Sequence, residues 1–81
     1  MNKAEVRNII ETTLKNGNKT PGVLNILKLI GVKSKLESCD SISEVVGILG
    51  DNRSLISKSF GLSDSDFNAS VDKLKALEAT A

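Results

Sequence analysis

Histidine, tryptophan and tyrosine are absent from this 81-residue chain, and cysteine and proline occur once each. Without histidine, the commonest general base near neutral pH and the usual nitrogen ligand of transition metals are gone, which excludes histidine-based triads and histidine metal sites. A lone Cys39 cannot close an intramolecular disulfide, so no covalent framework staples the fold and a reducing compartment is expected. Phe60 and Phe67 are the only aromatic residues, which leaves an aliphatic core of Ile, Leu and Val. The six glycines are scattered rather than gathered into a phosphate-binding loop. No apolar run approaches the roughly 20 residues of a membrane span, and the N-terminal MNKAEVRNII lacks the continuous apolar stretch of a signal peptide. A cytoplasmic protein without membrane association is the expectation.

The length supports one helical domain over 1–81, and a domain of this size buries only about 60% of its unfolded surface. Such a core folds alone but gains from oligomerisation. The net charge of +1 argues against a strongly basic nucleic-acid binder, yet the charges are unevenly spread. Between Glu11 and Glu37 there is no acid, while Lys15, Lys19, Lys28, Lys33 and Lys35 are all positive. From Ser41 onward six acids face Arg53, Lys58, Lys73 and Lys75.

Helical spacing runs through most of the chain. Asn2 and Glu5 form an N-cap pattern ahead of Val6, Ile9, Ile10 and Leu14, predicting a helix over about 3–15. Thr20 and Pro21 open a second over 21–30, in which all but Gly22, Asn25 and Lys28 after the proline are apolar. That helix is expected to pack on most sides and to form the centre of the core. Ser34 and Glu37 repeat the capping spacing around a short turn. Ser41 and Glu44 open a helix over 42–49, Asp51 or Asn52 caps one over 52–60, and Ser63 with Asp66 starts one over 64–78. Gly17, Gly31, Gly50 and Gly61 read as helix stops. The fold class is therefore all-α, a compact bundle of four to five short helices.

Asp64, Asp66 and Asn68 alternate like the opening of a calcium loop, but the sixth position is Ala69 and the twelfth Lys75, so no metal is expected. The acids instead suit the positive first turn of a helix. Cys39, beside an apolar helical face, reads as small core filler. No cofactor motif is present, and the chain reads as non-enzymatic.

In Leu55–Leu77, Ser57 lies four residues before Gly61, Phe60 and Leu62 flank it, Ser63 follows, and Ile56 and Phe67 take two buried positions. This pattern resembles the helix-turn-helix family of DNA-binding modules, which implies a three-helix unit over residues 42–78 with its corner at Gly61. The chain departs from the family in placing Ser70 where an apolar residue is usual, with Val71 next to it. It also presents Asp64 and Asp66 where a recognition helix meets phosphates.

The expected function is a helical binding module acting through a protein partner or self-association, as adaptor, inhibitor or regulator. The polar face of the fourth helix, Arg53, Ser54, Ser57 and Lys58, is the candidate partner-binding surface. The alternative is a DNA-binding regulator, with Lys15, Lys19, Lys28, Lys33, Lys35, Arg53 and Lys58 on phosphates and Ser63, Ser65 and Asn68 toward the groove. Nucleic acid is the less favoured partner, because no aromatic or arginine interleaves the lysines of the N-terminal half.

Overall fold

Capping and spacing produce five helices: α1 (Lys3–Lys15), α2 (Val23–Glu37), α3 (Ile42–Asp51), α4 (Arg53–Phe60) and α5 (Asp64–Thr80). The computed structural model describes residues 1–80, and no strand occurs among them. Three of the caps expected from sequence are formed, whereas Asn52 ahead of α4 makes no side-chain cap and the Ser34–Glu37 pattern lies within α2. Asn2 Oδ1 accepts the Glu5 N–H at 3.2 Å, Ser41 Oγ accepts the Glu44 N–H at 3.2 Å, and Ser63 Oγ accepts the Asp66 N–H at 3.1 Å. Each satisfies one of the backbone donors that a helix start leaves open, and each is worth about 1 kcal/mol.

The helices differ from expectation in the middle of the chain. Gly31 lies inside α2 rather than ending it, while α3 runs one residue past Gly50. A glycine in a helix interior costs only about 1 kcal/mol relative to alanine. In α2, continuation past Gly31 buries Val32 and half-buries Leu36, which offsets that cost. The start of α2 is also displaced: Gly22, in extended conformation, takes the cap position, leaving Thr20 and Pro21 in the loop.

Two glycines hold a pair of turns together. The Lys19 N–H donates to the Phe60 carbonyl at 3.1 Å, and a Cβ at Gly17 would overlap that same carbonyl oxygen. Across the contact, Gly61 ends α4 in the left-handed region at φ 65°, ψ 41°, and the Leu62 N–H reaches back to the Ser57 carbonyl at 2.9 Å. A Cβ there would overlap Asn18 Oδ1. The loop between α1 and α2 is thereby clamped to the corner between α4 and α5.

The core centres on α3 and α5. Val45 and Leu74 are fully enclosed, with Ile42, Leu49, Ile56, Leu62 and Phe67 around them. α1 lies chiefly on α5 and contributes Val6, while α2 lies on α3 and α4. The radius of gyration is 12.0 Å, close to the roughly 12 Å of a compact chain of this length. Among the described residues no helix is long and apolar enough to cross a membrane.

Candidate functional site

The second helix does not occupy the centre of the core. Its inward row is Asn25, Leu29, Val32 and Leu36, spaced by four, three and four residues, and of these only Val32 is fully buried. Val23 and Leu24 are 76% exposed and Leu27 63%, with Ile26 and Ile30 also exposed. The sequence reading of α2 as a helix packed on most sides is therefore corrected. It has apolar residues around most of its circumference, but the chain supplies neighbours for one side only.

Beside this row a groove of about 400 Å³ opens between α1 and α2. Ile10 and Leu14 of α1 and Ile26 and Ile30 of α2 line its walls, and Leu49, Ile56 and Phe67 belong to its lining from the core. Two hydroxyls reach the lining, and both are already committed. Thr13 Oγ1 donates to the Ile9 carbonyl at 2.9 Å and Ser70 Oγ to the Phe67 carbonyl at 2.7 Å. Charges enter the lining only through Lys3, Arg7, Glu11, Lys33 and Glu37. Arg7 pairs with the Glu37 carboxylate at 3.6 Å, and Lys3 Nζ donates to the Glu37 carbonyl at 3.0 Å, tying the start of α1 to the end of α2.

The four residues expected to form a partner face on α4 have divided roles. Arg53 is half-buried and turned to α5, where Nη1 donates to Asn68 Oδ1 at 2.9 Å, Nη2 reaches Asp64 at 3.3 Å, and the guanidinium lies 4.6 Å from the Phe67 ring centroid. It neutralises the first turn of α5 and packs the α4–α5 corner. The Ser57 hydroxyl is buried without a hydrogen-bond partner among the described residues. Ser54 and Lys58 remain exposed.

The candidate phosphate contacts fall into two sets. Lys15, Lys19, Lys28, Lys33 and Lys35 are exposed on the end of α1, the following loop and α2. Arg53, Lys58, Ser63, Ser65 and Asn68 lie on α4, the α4–α5 corner and the start of α5, where Arg53 and Asn68 are joined. Asp64, exposed, and Asp66, half-buried, stand beside them.

Cys39 is buried between α2 and α3, and its thiol donates to the Lys35 carbonyl at 3.3 Å. Burial raises its pKa, the nearby Glu44 and Asp40 carboxylates raise it further, and Lys3 opposes them. That direction is opposite to the one that activates a thiol nucleophile. No cluster of His, Cys, Asp and Glu suited to a metal ion occurs among the described residues.

The α2 surface was missed in the sequence because apolar content was read as burial. The available signal was the spread of apolar residues around the helix, wider than the one face that a neighbouring helix covers. No protein-family model, curated protein or solved structure matches the chain.

Proposed function

We propose that this chain is a small, non-enzymatic, cytoplasmic helical module that acts by binding another protein, as an adaptor, inhibitor or regulator, through the outer face of α2 and the groove beside it. The observation that carries this reading is the concentration of Val23, Leu24, Ile26, Leu27 and Ile30, all exposed, on one helix. Scattered surface apolar residues are ordinary, whereas a contiguous patch of large aliphatic side chains marks an interaction surface. Full burial of one such side chain is worth roughly 1.5–3 kcal/mol, so a few anchors in this row suffice to offset a substantial part of the cost of association.

The test is capture by the tagged full chain from host lysate, with and without nuclease, comparing the parent, Leu24→Asp/Leu27→Asp and Ser54→Asp/Lys58→Asp. A nuclease-resistant partner lost only with the α2 variant supports the reading. Loss only with the α4 variant moves the interface to α4. Nuclease-sensitive capture, joined by duplex binding that weakens steeply with salt, replaces the reading with the DNA-binding one.

A further inference from the structure

Building on the reading of α2 as a protein-binding surface, we infer that the α1–α2 groove receives an amphipathic helix from a partner protein, with its apolar stripe bordered by Asp and Glu.

The groove's chemistry selects a helix. Its walls are helices whose backbones are already hydrogen-bonded internally, and no strand edge exists among the described residues. An extended segment laid there would leave its own N–H and C=O groups without partners, whereas a helix satisfies them itself. The lining offers a polar small molecule no free hydroxyl proton, because Thr13 and Ser70 spend theirs on local carbonyls. The walls, 13 and 15 residues of helix, are roughly 20 Å long, enough for anchors at i, i+3 or i+4, and i+7 of an incoming helix.

The surrounding charge selects the sign of the occupant. Lys33 stands in the groove's lining, Lys28 and Lys35 border the exposed α2 row on its other side, Lys15 and Lys19 lie at the end of α1 and in the loop after it, and none of the five makes an ion pair among the described residues. On the lip, Glu37 is engaged by Arg7 and Lys3, which leaves Glu11 as the only acid there without an ion pair among the described residues. A second copy of this chain is a poor occupant. The exposed apolar row it would offer is α2 itself, whose charges before Glu37 are all lysines. Like charges facing each other across an interface suppress that pairing, and acids facing them favour it.

The test uses the folded full chain against a displayed library of helical peptides of about 18 residues, with apolar residues fixed at i, i+3, i+4 and i+7 and the flanking positions randomised. Enrichment of Asp and Glu at the flanks is expected. A synthesised winner should bind about tenfold more weakly to Lys28→Glu/Lys33→Glu/Lys35→Glu, weaken with added salt, and fail to bind Ile30→Glu, a replacement at an exposed site monitored by circular dichroism. Neutral or basic flanks with binding still abolished by Ile30→Glu would overturn the acidic helix and leave the α2 surface standing. The helical occupant also falls if no peptide is enriched, if the chain sediments with phosphatidylserine-containing vesicles, or if it is a dimer broken by Ile30→Glu. If, in addition, Leu24→Asp/Leu27→Asp leaves lysate capture unchanged, the protein-binding reading of α2 falls too.

Discussion

α2 and α3 are both rich in aliphatic residues, yet α3 buries Ile42, Val45 and Leu49 while α2 buries Val32 alone. The difference lies in how the apolar positions are arranged around the axis and in what is left to cover them. In α3 they share one face, opposite Ser43, Glu44, Gly47 and Asp51, and that face meets α5 and α2. In α2 they encircle the helix, and the other described helices lie on one side of it, leaving the outer side exposed. Hydrophobic content sets how much surface seeks cover. Topology decides which part of it finds cover within the chain.

The largest expected effect separates the two regions directly. Leu74→Ala, in the enclosed α3–α5 centre, should lower stability by about 2–5 kcal/mol, whereas Leu27→Ala on the outer face of α2 should change it by less than about 0.5 kcal/mol. Denaturant midpoints at constant m-value check this, and comparable losses at the two sites would break the contrast.

A smaller effect tests the clamp between the α1–α2 loop and the α4–α5 corner. Gly17→Ala must push the added methyl into the Phe60 carbonyl, and a loss of about 1–3 kcal/mol is expected. Gly31→Ala, on the exposed α2, meets nothing within 4 Å and should stabilise by about 0.4–1 kcal/mol. Matching thermal unfolding curves for these two alanine variants would contradict the packing described at both glycines.

The smallest effect concerns the junction of α2 and α3. Because burial raises the Cys39 pKa above its ordinary 9.0, the folded state holds the thiol proton more tightly than the unfolded state. That contribution is complete below the unfolded pKa and disappears as pH rises through the folded value. Parent stability should therefore decline more steeply above about pH 9 than that of Cys39→Ala. Parallel pH profiles from chemical denaturation would show that α2 does not seal this thiol.

The caps at Asn2, Ser41 and Ser63 were legible because each helix start needs an oxygen for its open N–H groups, and the side chains that supply one are few. Gly61 was legible for a related reason, since the left-handed turn after α4 is costly for any residue with a Cβ. Gly31 misled as a helix stop, because continuation of a helix depends on what the next turn buries, and Val32 is buried by contacts distant in sequence, whereas Gly50 lies one residue from the end of α3. The α4 face was legible as polar residues, but the turning of Arg53 onto Asp64, Asn68 and Phe67 depends on how α4 and α5 meet.

By itself the sequence determined the helical class, most helix starts, the lone thiol, the missing histidine chemistry and the acid-free stretch between Glu11 and Glu37. These follow from local backbone chemistry and composition, which act within a few residues. Only the tertiary structure decided that α2 faces outward, that Gly17 lies against Phe60, and that an apolar groove separates α1 from α2. Those features arise because packing is a competition among all the helices for limited contact area, and its outcome is written in no single segment.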